Sequence, residues 1–80
     1  MSDKIIAIIP AYNEENSIIG IIDDVLNYCE NVIVINDSST DNTQDLLNGY
    51  DNENLIIIEN KKTLGIGGSM KKGIKKALEL

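Results

Sequence analysis

The 80 residues hold 42% hydrophobic and 25% charged side chains with a single proline, a globular balance sufficient for one small domain, 1–80, near the lower end of what a single core stabilises. A net charge of −6 argues against a general nucleic-acid binder, and no apolar run approaches the roughly 20 residues of a membrane span. Cys29 is the only cysteine, which excludes an internal disulfide and makes a reducing, cytoplasmic setting the expectation.

Met1 to Asp3 leads directly into a strand pattern, without signal-peptide shape. There is no phenylalanine or tryptophan, so the core must be built from Ile, Val and Leu. Ile5 to Ile9 is a continuous apolar run and reads as a first buried strand, ended by Pro10 because proline cannot donate to a ladder. Pro10 to Glu15 is a short loop, and Asn13 or Asn16 is the expected helix cap, with Glu14 and Glu15 at the positive end of the dipole. Ile18, Ile21, Ile22, Val25, Leu26 and Cys29 then recur at helical spacing. Glu30-Asn31 turns into a second run, Val32 to Asn36, whose unbroken Val/Ile character suits a strand buried on both faces of a parallel sheet.

The polar cluster Asp37 to Thr43 follows, rich in helix-starting residues. Gln44 to Tyr50 reads as a short helix with Leu46, Leu47 and Tyr50 inward, and Asp41 with Gln44 has capping-box spacing. Gly49 to Asn54 is a turn-rich connection, and Leu55 to Ile58 is a third buried strand. After the loop Asn60 to Thr63, Gly65-Ile66-Gly67-Gly68-Ser69 forms a glycine-rich turn into a last helix. Met70, Ile74, Ala77 and Leu78 are expected on its apolar side, and Lys71, Lys72, Lys75 and Lys76 on its wet side. Residues 1–60 carry twelve acids and one base, whereas residues 61–80 carry six lysines and one acid. The basic end is either an anion-binding face or a solvated helix face balancing an acidic body.

The order β-α-β-α-β-α implies right-handed crossovers and a parallel sheet covered by helices. Ligands of open α/β sheets bind outside the carboxyl ends of the strands. Three familiar ligand loops are excluded there. The first loop lacks the G-x-G-x-x-G of a dinucleotide site, and Gly65 to Ser69 lacks the G-K-[ST] ending of a Walker A loop. A phospho-receiver would need acids where Pro10 and Ala11 stand. Pro10 to Glu15 and Ile35 to Thr43 instead lie at the ends of neighbouring strands. Each alone is explained as turn and cap. Together they build one cleft with an aromatic ring (Tyr12), two carboxylates (Glu14, Asp37) and free helix-start amides. An aromatic face stacks on a base, and a carboxylate accepts from base N–H or ribose hydroxyl groups. Asp51-Asn52-Glu53 resembles a metal-binding acid pair but reads better as a plain turn.

P-A-Y-N-E-E, then V-I-V-I-N-D-S-S-T-D-N-T, then L-G-I-G-G-S-M-K-K-G resemble, in order and spacing, the start of a family 2 glycosyltransferase of the dolichyl-phosphate mannose synthase-like kind. The resemblance covers essentially the whole chain. It implies the nucleotide-binding half of a GT-A fold, an α/β, Rossmann-like three-stranded parallel sheet in the order 3-2-1. It implies that Pro10, Tyr12 and Glu14 line a nucleoside pocket, that Asp37, beside Ser38, holds the base, and that Gly65, Gly67 and Lys71 close over the nucleotide. The implied ligand is a UDP- or GDP-linked sugar, and the implied reaction is inverting hexosyl transfer. The family usually has aspartate, glycine and asparagine where this chain has Asn36, Ser38 and Thr63. The family's metal-binding D-x-D and its catalytic base are not among these residues. A divalent ion, Mg or Mn, is therefore expected for a complete enzyme only, with none bound by this chain, no catalytic residue and no turnover by the chain alone. The alternative is a non-catalytic α/β module with inherited loops. In the implied topology Ile5 to Ile9 is an open apolar edge, so a homo-oligomer pairing through that strand is expected.

Overall fold

The computed structural model describes residues 4–80, so the reading of Met1 to Asp3 lies outside the described residues. The elements are β1 (Ile6–Ala11), α1 (Ile18–Val25), β2 (Asn31–Asp37), α2 (Thr43–Asn48), β3 (Leu55–Asn60) and α3 (Gly65–Glu79). The strands form one parallel sheet in the order β1-β2-β3, with Ile8 opposite Ile33 and Ile33 opposite Ile56.

The central position of β2 explains its sequence. Val32, Ile33, Val34 and Ile35 are all 0% exposed, because helices cover both faces of the sheet. Burying each such side chain contributes about 1.5–3 kcal/mol relative to exposure. On one face Val32 and Val34 pack with Ile18 and Ile22 of α1 and Leu47 of α2. On the other, α3 lies against β1 and β2. Its contact is made by small residues: Ser69 and Gly73 are the buried positions of the helix. A Cβ on Gly73 would overlap Ile8 Cγ2 and stand 2.8 Å from Ile35 Cδ1. The helix rests on the sheet because Gly73 has no side chain.

This seating corrects half of the expected apolar side of α3, of which Met70 and Ala77 are half-buried as expected. Ile74 and Leu78, read from spacing as apolar-side residues, are 49% and 83% exposed. Close approach rather than apolarity chose the buried stripe, and a glycine carries no hydrophobic signal. Other boundaries also differ. β1 runs through Pro10 to Ala11 instead of ending before it. Among the described residues β1 is paired on one side alone, where proline is tolerated. The glycine-rich segment from Gly65 is already helix, and α1 closes at Val25, short of Cys29. Ile21 is 40% exposed, leaving Ile18 and Ile22 as the inward face of α1. Tyr50 packs against the core, and its hydroxyl donates to Asp23 Oδ1 at 2.5 Å, tying the end of α2 to α1.

Two glycines give opposite expectations. Gly73→Ala drives a methyl group into Ile8 and Ile35 and is expected to cost about 1–3 kcal/mol, the range of overpacked cores. Gly20, inside α1, has open space around it, and Gly20→Ala is expected to gain about 0.5–1 kcal/mol from helix propensity. Urea unfolding of the two variants checks the pair; equal effects would show that α3 is not seated through Gly73.

Candidate functional site

The carboxyl ends of the three strands meet at one end of the sheet, and their loops are sewn together by side chains. Asn13 takes φ 52°, a left-handed conformation that asparagine tolerates better than most residues. Its Oδ1 accepts from the Thr40 amide at 2.8 Å and from the Asp41 amide at 3.3 Å, while its own amide donates to Ser39 Oγ at 3.0 Å. The Glu14 amide donates to Thr43 Oγ1 at 2.9 Å, and the Glu15 amide to Asp41 Oδ2 at 3.2 Å. Asp41 Oδ1 also accepts from the Thr43 amide at 2.9 Å. Burial raises the pKa of Asp41, but the hydrogen bonds from Thr43 and Glu15 outweigh it, and the carboxyl ends below its ordinary value.

These bonds correct two expected caps. The residue before α1 is Ser17, and neither Asn13 nor Asn16 caps it; Asn13 joins the two loops instead. The expected capping box of Asp41 and Gln44 does not form either. Asn42 precedes α2 without a side-chain cap, and Gln44 Oε1 accepts from Asn36 Nδ2 at 2.7 Å. Asn36 is 1% exposed, and its Oδ1 accepts from both the amide and the hydroxyl of Ser39. A carboxamide supplies a donor and an acceptor here; an ionised carboxylate would supply acceptors alone.

Asp37 ends β2 and is 6% exposed. Its Oδ1 accepts from the Leu64 amide at 2.7 Å and from Asn60 Nδ2 at 3.0 Å, and its Oδ2 accepts from the Gly65 amide at 2.9 Å. The carboxylate thus caps α3 from another element, serving orphan amides and the positive end of the helix dipole together. The Leu64 amide does most to hold the Asp37 pKa below its ordinary value. Asn60, the Gly65 amide and the Lys72 charge add to this, and burial opposes it. Gly65 takes φ 76° at this junction, a conformation suited to glycine.

A cleft of about 170 Å³ opens beside Asp37. Of the residues expected at a site, Pro10, Tyr12, Glu14, Asp37 and Gly65 line it, joined by Ala11, Ile66 and Ser69. The Tyr12 ring is 51% exposed and available for stacking. Ser38, Gly67 and Lys71 are not on the wall. The Ser38 hydroxyl is engaged with Thr63 at 2.6 Å, and Lys71 lies on the exposed side of α3. No lysine lines the cleft, so the basic segment 61–80 gives it no cation. Asp51 to Glu53 precede β3, at the opposite end of the sheet, where Asn52 Oδ1 accepts from the Asn54 amide in a turn.

The glycosyl transferase family 2 model matches residues 6–79, nearly the whole chain and all three loops of this site. The chain belongs to that family. It is similar to a UDP-N-acetylglucosamine–dolichyl-phosphate N-acetylglucosaminyltransferase of Methanococcus voltae, with 35% identity over 100% of this chain and 38% of the relative. It is 36% identical to an uncharacterised protein of Methanocaldococcus jannaschii over 94% of this chain and 34% of that one. A dolichyl-phosphate beta-glucosyltransferase of Trichomonas vaginalis is 27% identical over 82% of this chain and 24% of its own length. The chain therefore spans between about a quarter and two fifths of the curated relatives it matches. No solved structure matches.

Against the family 2 pattern, two of the departures touch each other. Ser38 takes φ 53°, which the usual glycine adopts freely, and its hydroxyl shares a hydrogen bond with Thr63, the other changed position. Asn60, Ser69 and Lys72 were not legible as site residues, yet all three meet beside Asp37. The available signal was Asn60 itself, a polar residue at the end of β3 opposite Asp37. Among the described residues no three His, Cys, Asp or Glu side chains converge on one point.

The depressed pKa of Asp37 sets a pH dependence. Its folded-state value lies below the ordinary 3.8, so its contribution is present above that value and is lost as pH falls through the folded one. Asp37→Asn is expected to destabilise the fold near neutrality and to flatten the acid limb of a stability–pH curve. An unchanged acid limb would remove Asp37 from the capping role.

Proposed function

We propose that this chain is the donor-recognising part of an inverting family 2 glycosyltransferase. Its cleft takes the nucleoside of a UDP- or GDP-linked sugar. The observation that carries the reading is the cleft at the carboxyl ends of β1 and β2. There half-exposed Tyr12 lines the same cleft as the carboxylates of Glu14 and Asp37, with no cation among the lining residues. Such a site suits a base and a ribose better than a diphosphate. Tyr12 stacks on the base, Asp37 accepts from a base N–H, and Gly65 and Ile66 form the opposite wall. In this reading Gly67 and Lys71, on the first turns of α3, approach the diphosphate once the nucleoside is seated; Ser38 supports the loop from the side. In the complete enzyme an acceptor hydroxyl attacks the anomeric carbon. The base that assists it and the divalent Mg or Mn that neutralises the leaving diphosphate belong to other residues. The chain alone is proposed to recognise the donor without transferring the sugar, in a cytoplasmic setting. Among the described residues no helix is long and apolar enough to cross a membrane.

One observation favours a second reading, an inert α/β module with inherited loops. Asp37 already accepts three hydrogen bonds from the protein, which gives it a structural task with no ligand present. Titration with UDP and GDP, followed by NMR, separates the two. A working half-site shifts the signals of Tyr12, Glu14 and Asp37, and Tyr12→Ala weakens binding by about tenfold, the scale of one base–aromatic stack. No shift at millimolar nucleotide leaves the inert module. Release of nucleoside diphosphate from sugar nucleotides with Mn²⁺ or Mg²⁺ would overturn the proposed inactivity.

The open edge of β1 supports a further proposal, self-association through that strand. Among the described residues β1 pairs with β2 alone, Ile5 beside it is 53% exposed, and an unpaired apolar edge templates pairing with another chain. Light scattering is expected to report a dimer or larger species, with protected amides at Ile5 to Ile9. A monomer at high concentration with freely exchanging amides there would exclude it.

A further inference from the structure

Asn60 ends β3 with its side chain 2% exposed, between two helix residues and the cleft carboxylate. Its Oδ1 accepts from Lys72 Nζ at 2.8 Å. Its Nδ2 donates to Asp37 Oδ1 at 3.0 Å and lies 3.2 Å from Ser69 Oγ. The order of these groups is forced. An ammonium has donors and no acceptor, so Lys72 must face the carboxamide oxygen. The carboxamide nitrogen is then turned to Asp37. With Lys72 fixing the amide, Asp37 is met by donors alone: the Leu64 and Gly65 amides and the Asn60 amino group. Every one of them favours the ionised, acceptor-only carboxylate.

The count of acceptor positions matters for the cleft. Oδ1 takes two of the three bonds and Oδ2 takes one, from Gly65. A carboxylate oxygen has two lone pairs, which leaves one acceptor direction on Oδ2. The surrounding charges do not disturb this state. From α3, Lys72 acts on Asp37 with the sign that favours ionisation. At the end of β3, Glu59 pairs with Lys61 just after the strand, at 3.1 Å. From the loop after β1, Glu14 shares the cleft and accepts from the Ser17 hydroxyl at 3.1 Å. Asp41 is turned to Glu15 and Thr43.

We propose that Lys72 and Asn60 are positioning residues which, acting through Asp37, make the cleft select a ligand that presents an N–H over one that presents a bare ring nitrogen at the same place. The inference rests on reading the cleft as a nucleoside site. Uracil and cytosine are the matched pair that differ in this way, N3 carrying a proton in one and a lone pair in the other. Loss of the Lys72 ammonium frees the Asn60 carboxamide to turn its oxygen to Asp37. Replacing Asn60 by aspartate sets a second carboxyl beside Asp37, and a shared proton turns an acceptor into a donor.

The test uses the wild-type chain, Lys72→Met and Asn60→Asp, with Lys75→Met as a control of equal charge change on the same helix. Affinities for UMP and CMP are compared by NMR titration. The Asp37 side-chain carboxyl carbon is titrated with pH in each free protein. The wild type is expected to prefer UMP by about tenfold, the scale of one net hydrogen bond. Lys72→Met and Asn60→Asp are expected to lose that preference and to move the Asp37 titration to higher pH, while Lys75→Met leaves both in place. A preserved preference with an unmoved Asp37 titration in both variants overturns the proposal. If the wild type binds neither nucleotide, the nucleoside-site reading fails and the selectivity fails with it. The free-protein titrations still decide whether Lys72 and Asn60 position Asp37. Lys72 lies on the exposed side of α3, so Lys72→Met carries the test if Asn60→Asp does not fold.

Discussion

The Asp37 carboxylate holds the last helix to the end of the central strand. Without it the first amides of α3 would lack partners, and a helix whose buried contacts are Ser69 and Gly73 has little apolar surface with which to anchor itself. The hydrogen bonds to Leu64 and Gly65 fix the start of α3 where the cleft needs its far wall, and Gly73 lets the rest of the helix lie down on Ile8 and Ile35. One residue therefore serves the fold and faces the proposed ligand.

The two other loops are stabilised by a different device. Asn13 and Asp41 bridge the two loops through side-chain bonds to backbone amides, and Asn36 ties the second loop to the end of β2, so the rim is ordered without a capping box. Two non-glycine residues, Asn13 and Ser38, accept left-handed backbone there, and each is compensated by polar bonds of its own. Such local backbone cost costs about 1–3 kcal/mol per residue and persists where the surroundings over-determine it. The hydroxyls of Ser38 and Thr63 join two of these loops directly.

Much of this was legible in the residues. Unbroken Val/Ile runs separated by helical periodicity fixed the α/β class and the parallel strands, because only a strand covered on both faces tolerates such a run. The loops at the strand ends, read together, pointed to the cleft, and the family model matches the chain from 6 to 79. Boundaries were less legible. Pro10 reads as a stop, yet an edge strand carries it; Ile74 and Leu78 read as core, yet a glycine took the contact.

The sequence by itself determined the elements, their order, the buried central strand and the family, because periodicity and motif spacing are local properties of the chain. Tertiary structure alone decided which side of α3 meets the sheet, that Asp37 caps a helix 27 residues further on, and that Asn60 and Lys72 stand behind it. Those outcomes depend on which atoms approach each other across the sheet. A glycine contact or a carboxamide's orientation is set by its neighbours in space, and no spacing along the chain encodes it.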